Sequence, residues 1–139
     1  MTTATSATLL EVRHLTKHYP VRKGMFARVS GQVHAVDDVT FSITEGETLG
    51  LVGESGCGKS TTGKAVLKLI EPTSGSVAWR GRRIDGLSPG EMRPYRRELQ
   101  AGFQDPYSSL NPRMRAADIV AQPIRNFEAL PAAAIADRV

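Results

Sequence analysis

An α/β fold is predicted by three adjoining features of the chain: a short apolar run, a glycine-rich loop and a helical repeat. Thr48-Leu-Gly-Leu-Val-Gly53 is nearly continuous in apolar character, as expected of a strand buried on both faces of a parallel sheet. Gly53-Glu-Ser-Gly-Cys-Gly-Lys-Ser60 follows it and fits G-x-x-x-x-G-K-[ST], the phosphate-cradling P-loop pattern. From Lys59 to Ile70 the pairs Ala65/Leu69 and Val66/Ile70 stand four apart, so both can lie on one helical face. Strand, loop and helix in that order are the context the pattern needs.

Upstream, Leu10 and Val12 alternate with Glu11 and Arg13, which reads as a half-buried strand. Residues 21–31 carry Arg22, Lys23 and Arg28 without an acid and close on Ser30-Gly31, which predicts an exposed basic loop. Val39, Phe41 and Ile43 alternate with Thr40 and Ser42 as a second strand, ended by a turn at Glu45-Gly46-Glu47. Downstream, Pro72 and Gly75 stop the helix, and residues 75–84 read as a short hairpin turning at Gly81. Glu91 to Glu98 is predicted helical, Leu99 to Phe103 leads into a strand, and the alanine-rich remainder beyond Asn111-Pro112 favours helix.

Composition sets outer bounds. The 139 residues, with 40% hydrophobic and 23% charged, have the balance of a globular domain with its own core. No apolar run approaches the roughly 18–20 residues that span a bilayer. Residues 1–8 have neither the basic nor the apolar part of a secretion signal and read as a flexible tail. Cys57 is the only cysteine, which excludes an internal disulfide or a cysteine-built metal centre and fits a reducing cytoplasm. Net charge is +4, with arginines at 80, 82, 83, 93, 96 and 97 interleaved with Glu91 and Glu98. No nucleic-acid motif accompanies them, so they read as a solvated face, pointing away from nucleic acid as a partner. His14 and His18 stand four apart on a strand and its exit, with no cysteine or carboxylate cluster near them in sequence, and read as no metal site.

The loop composition has a physical reason. Triphosphate oxygens need several donors at short range, and Gly53, Gly56 and Gly58 let the backbone turn tightly enough for successive N–H groups to converge on an anion. A helix starting near Lys59 adds unpaired N–H groups and its positive dipole end. Lys59 can reach the β- and γ-phosphates, and the Ser60 hydroxyl can ligate Mg²⁺, a cation that prefers oxygen. Glu54, Ser55, Cys57 and Thr61 complete the candidate nucleotide-binding loop, with Cys57 read as a small residue. A dinucleotide fold is excluded: it needs G-x-G-x-x-G, but Thr61 stands three after Gly58 and a lysine interrupts the loop.

The loop alone does not separate kinases, GTPases and transport ATPases, but its surroundings do. Ala35-Val-Asp-Asp-Val-Thr-Phe-Ser-Ile43, Gly46 through Thr61, and Glu71-Pro-Thr-Ser-Gly75 resemble the opening of nucleotide-binding domains of the ABC transporter family. Phe103-Gln-Asp-Pro-Tyr-Ser-Ser-Leu-Asn-Pro-Arg-Met114 resembles the segment around the Q-loop in ATPases of oligopeptide and dipeptide importers. The resemblance covers residues 9–130 or so. It implies a P-loop NTPase fold, a RecA-like core with the family's antiparallel β subdomain, incomplete here and followed by the start of the helical subdomain. The implied organisation is a tail at 1–8, the front of the nucleotide-binding domain at 9–112, and the helical start at 113–139.

The same resemblance implies ATP and Mg²⁺ as cofactors. Tyr19 matches the aromatic that stacks on adenine, and Gln104 matches the glutamine that approaches Mg²⁺ and the attacking water. Implied partners are membrane permease subunits, a second ATPase subunit and, indirectly, an external substrate-binding protein, with the chain peripheral on the cytoplasmic face of the membrane. The chain departs from the family pattern after Arg115: no signature motif, Walker B aspartate, catalytic glutamate or switch histidine follows. The expectation is therefore the N-terminal portion of a longer ATPase, unable to hydrolyse ATP alone. Three readings stand beside it: a truncated, non-catalytic nucleotide-binding module; a P-loop kinase, which leaves the 103–114 segment unexplained; and a nucleic-acid-linked ABC protein, suggested by the charge but opposed by that same segment. Absence of an Asn-Lys-x-Asp motif speaks against a GTPase.

Overall fold

Two long strands organise the front of the chain in the computed structural model, which describes residues 7–23, 28–102, 105 and 110–139. β1 (Thr8–Lys23) and β2 (Arg28–Thr44) run antiparallel, in register from Thr8↔Thr44 to Lys23↔Arg28. β3 (Ser74–Trp79) pairs with the other edge of β1, and β4 (Arg82–Arg83) with β3, so the sheet order is β2-β1-β3-β4. The predicted alternations at Leu10/Val12 and Val39/Phe41/Ile43 fall in β1 and β2, with Val12 fully buried. The predicted hairpin turns at Arg80-Gly81, both with positive φ (47° and 77°), the combination that matches strand twist in a two-residue turn.

The long pair is not regular. Arg13 and His14 on β1 face the single residue Thr40 between Val12↔Phe41 and Leu15↔Val39. Asp37 and Asp38 on β2 face the single residue Thr16 between Leu15↔Val39 and Lys17↔Val36. Each is a β-bulge, two residues opposite one, and in each the second residue has positive φ (His14 51°, Asp38 49°). A threonine hydroxyl across the strand replaces the lost ladder bond: the His14 amide donates to Thr40 Oγ1 at 2.9 Å and the Asp38 amide to Thr16 Oγ1 at 3.2 Å. A third step, from Lys17↔Val36 to His18↔His34, leaves Ala35 as an extra residue on β2.

α1 (Lys59–Val66) packs on β1 and β2 through Thr62, Ala65 and Val66. It is shorter than the predicted 59–70, because Lys68 takes positive φ (49°) and its amide returns to the Ala65 carbonyl. The Lys68 ammonium then binds the Asp85 carbonyl and lies 3.3 Å from Glu71, fixing the exit of the helix. Ile84 and Met92 close the core beside Leu15, Val12 and Val77.

Four further expectations are corrected. Residues 21–31 do not form a loop throughout, since β1 runs to Lys23 and β2 starts at Arg28. Cross-strand pairing there overrides the charge pattern. Residues 48–53 form no strand, and Val52 is 94% exposed. A strand needs a neighbour to complete its ladder, and among the described residues none lies beside this run. The predicted helix at 91–98 is split into α2 (Pro89–Met92) and a 3₁₀ turn (Tyr95–Arg97), because Pro94 lacks the N–H that would carry the helix on. Ser88 and Glu91 start α2 as a capping box, each side chain accepting the other's amide (2.8 and 3.4 Å). Residues 99–102 are irregular rather than extended into a strand, and Phe103 lies outside the described residues.

The chain divides into two compact units, Met1–Met92 and Arg93–Val139. In the second unit the alanine-rich remainder is helical as expected, in α3 (Ala116–Phe127) and α4 (Ala132–Arg138), which bury Ala121 and Ile135. Among the described residues no helix is long and apolar enough to cross a membrane.

Asp85 ties the β3–β4 hairpin together. Its carboxylate accepts the Val77 amide at 3.0 Å and the Arg83 guanidinium at 2.7 Å. Burial alone would raise its pKa, but these hydrogen bonds and the Arg83 charge outweigh burial and hold it below the ordinary 3.8. A lowered native pKa contributes stability above the ordinary value that is lost as pH falls through it. Asp85→Asn should therefore flatten the acid limb of stability below pH 3.8, as read by urea unfolding at stepped pH. Ile84→Ala, at a fully buried site, should cost about 2–5 kcal/mol in urea unfolding at neutral pH.

Candidate functional site

The glycine-rich loop sits between the exposed run 48–52 and the first turn of α1. Three glycines hold positive φ, Gly53 at 154°, Gly56 at 82° and Gly58 at 95°, where a side chain is strained. Gly58 is the N-cap of α1 and offers no side-chain oxygen, and no acidic residue lies in the first turn. Among the described residues no side chain caps this helix start, which leaves a positive helix end suited to an anion. Ser60 is exposed in that turn and Thr61 half-buried. The Thr62 hydroxyl returns to the Gly58 carbonyl at 3.0 Å and serves the helix instead.

Gly58 also carries a packing constraint. A Cβ there would overlap the carbonyl oxygen of Ala35 and lie 3.6 Å from Val36 Cγ2. Ala35 is the extra residue of the third bulge in β2, so the sheet aims a backbone carbonyl at the loop where only glycine fits. At Gly53 an added Cβ would stand 2.6 Å from the Sγ of Cys57, itself exposed. By contrast, no atom lies within 4 Å of a Cβ at Gly56.

Lys59 is held at the centre of the loop. Its ammonium donates to the Gly53 carbonyl at 2.8 Å and the Glu54 carbonyl at 2.6 Å, and lies 3.5 Å from Cys57 Sγ. An ammonium has three N–H donors. Two are anchored on the loop, and among the described residues the third faces the soft thiol, a partner that an oxyanion would outcompete. Ser55 and Gly56 form the exposed turn between these carbonyls and the helix, and the Cys57 amide closes it on the Glu54 carbonyl at 3.4 Å.

Of the other expected site residues, Tyr19 lies in β1 opposite Val33, 40% exposed, with the Lys17 ammonium 4.9 Å from its ring centroid. The ring is part-exposed rather than packed into the core, and one face already carries the Lys17 ammonium. Gln104, with most of the 103–109 segment, lies outside the described residues. Sequence reasoning missed Ala35, for which motif spacing holds no signal, since its role rests on the register of a distant strand. The expectation that His14 and His18 lack carboxylate neighbours is corrected. The bulge in β2 brings Asp38 Oδ1 to 2.6 Å from His14 Nδ1, and Asp37 Oδ1 to 3.5 Å from His18 Nε2.

A positive-φ glycine loop closed by the Lys59 ammonium at a helix start, beside an antiparallel sheet, makes up part of a P-loop NTPase fold. The sequence profile described as "ABC transporter" matches residues 36–138, and the chain belongs to that family. It is 53% identical over 125 residues to "Probable peptide ABC transporter ATP-binding protein y4tS" of Sinorhizobium fredii, covering 90% of this chain and 35% of that one. It is 49% identical over 131 residues to "Glutathione import ATP-binding protein GsiA" of Escherichia coli K12, covering 94% of this chain and 21% of that one. The chain thus spans about a third or less of the length of these relatives. The dimeric ATP-binding cassette MJ0796, solved with ADP and Pi, superposes with a TM-score of 0.73 at 27% identity, covering 94% of this chain and 53% of that one.

Because Gly58 meets both strain and a fixed carbonyl whereas Gly56 meets strain alone, the two should respond differently to alanine. Gly58→Ala should destabilise by more than the roughly 1–3 kcal/mol of one strained backbone position, and Gly56→Ala by no more than that, in parallel thermal melts.

Proposed function

We propose that this chain is the phosphate-binding front of an ATP-binding, energy-coupling subunit of a peptide-type ABC importer. The observation that carries the reading is the Lys59 ammonium anchored by the Gly53 and Glu54 carbonyls at an uncapped helix start. ATP would place its β- and γ-phosphates on the 53–61 backbone and Lys59, with Tyr19 stacking on adenine. Mg²⁺ would take the Ser60 hydroxyl as one oxygen ligand, with Gln104 beside it. The importer class rests on the 103–114 segment and on the relatives, one a probable peptide ABC transporter ATP-binding protein and one a glutathione import ATP-binding protein.

In this reading the subunit lies on the cytoplasmic face of the membrane. It works with a second ATPase subunit and permease subunits, and an external binding protein delivers the substrate. Residues 9–112 form the front of the nucleotide-binding domain and 113–139 open the helical subdomain.

The chain taken by itself lacks a group to activate water. Lys59, Ser60 and Gln104 neutralise and position charge, but none is a general base. We infer that the 139 residues alone bind nucleotide without turning it over. In the full-length subunit, Lys59→Ala should lower ATP hydrolysis at least about 100-fold, the scale of losing one charge-stabilising donor. It should also weaken binding of a fluorescent ATP analogue. Hydrolysis and analogue binding at wild-type level in that variant would overturn the proposal.

A further inference from the structure

The bulge that displaces Asp37 has a second result. His18 on β1 and His34 on β2 are direct cross-strand partners, so both side chains lie on one face of the sheet. Their rings stack with centroids 3.8 Å apart and 28° between planes. Asp37 reaches both, its Oδ1 3.5 Å from His18 Nε2 and its Oδ2 3.6 Å from His34 Nδ1. One ligand atom from each of the three residues can be chosen so that all lie within 4.8 Å of one another.

His18 is the unusual member. Its side chain is only 18% exposed, and its Nε2 is buried with no hydrogen-bond partner among the described residues. A buried polar atom left without a partner costs about 1–3 kcal/mol. A cation bound at the ring edge, in the plane of the His18 imidazole, would satisfy it. Tetrahedral coordination with bonds of about 2.0–2.1 Å puts ligand atoms roughly 3.3–3.4 Å apart. The separations from Asp37, 3.5 Å from Oδ1 to His18 Nε2 and 3.6 Å from Oδ2 to His34 Nδ1, lie near that spacing at the two carboxylate oxygens, and closure onto one ion needs movement of the exposed Asp37 and His34 side chains.

We propose that His18, His34 and Asp37 form a binding site for a divalent transition-metal ion of the zinc, cobalt and nickel class. Two neutral imidazoles and one carboxylate suit these borderline ions, and a three-residue set leaves a fourth position for water. Mg²⁺, which selects oxygen ligands, is disfavoured there, so the site is separate from the nucleotide's cation. The ion would cross-brace β1 and β2 one residue from Tyr19 and one from Ala35, whose carbonyl approaches Gly58. The metal site itself does not depend on that reading, since its residues lie outside the loop.

The test is a titration of Zn²⁺ and Co²⁺ into untagged full-length protein by calorimetry and visible absorption, with Mg²⁺ in excess. The wild type should bind one more ion than the variants, with the visible bands of tetrahedral cobalt. His34→Ala and Asp37→Asn replace side chains that are 57% and 67% exposed, so their folding is not at stake. Each should weaken binding at least about 10-fold, the lower end of the cost of disturbing even the outer shell of a metal site. His14→Ala, at a histidine held by Asp38 instead, should leave it unchanged. Equal affinity in the wild type and both ligand variants would overturn the proposal. So would a thiolate-to-cobalt band in the near ultraviolet as the sole signal, which would place the ion on Cys57.

Discussion

The close approach of Gly58 to the Ala35 carbonyl is the constraint on which the site depends. A helix start can attract an anion in any protein, but here the helix start is pinned to a strand by a contact that admits no side chain. That contact exists only because β2 carries one residue more than β1 can pair with at Ala35. The strand pair therefore does more than bury Leu15 and Val12. It sets the position from which α1 points its unpaired amides, and α1 in turn fixes Lys59 within reach of the loop carbonyls.

The local chemistry of the loop was legible in the sequence because it depends on neighbours in the chain. Glycines at 53, 56 and 58 all take the positive φ that tight turns there allow, and Lys59 and Ser60 stand in the first turn of the helix. The short-range strand signals at Leu10/Val12 and Val39/Ile43 were equally readable, as was the hairpin at Gly81. What escaped was set by contacts distant in sequence. The apolar run at 48–53 obeys the composition of a buried strand, but pairing, not composition, makes a strand. The basic stretch at 21–31 has the opposite history: its charges argue for a loop, and the continuing ladder between Val21 and Gly31 overrides them. Bulge positions have no local signature at all, so the meeting of His18 with His34 and Asp37 could not be read from spacing.

The two bulges beside the histidines share one design. In each, a positive-φ residue interrupts the ladder and a threonine from the opposite strand restores the lost hydrogen bond. Thr16 and Thr40 thus allow a long, strongly twisted ribbon to change which residues face which side without leaving backbone amides unpaired. The irregularity is bonded and specific, which is why it can place side chains rather than merely bend the sheet.

The anchoring of the Lys59 ammonium has a consequence for how a ligand would be received. The flexible lysine stem, with its large store of rotamer freedom, is already immobilised by two carbonyls of its own loop. The ordering entropy of the most mobile side chain at the site is thus charged to folding, and an arriving anion meets a cation that does not have to be recruited. Such a loop discriminates by rigidity. It rewards ligands whose charge already matches its shape, and offers little to those that would need it to move.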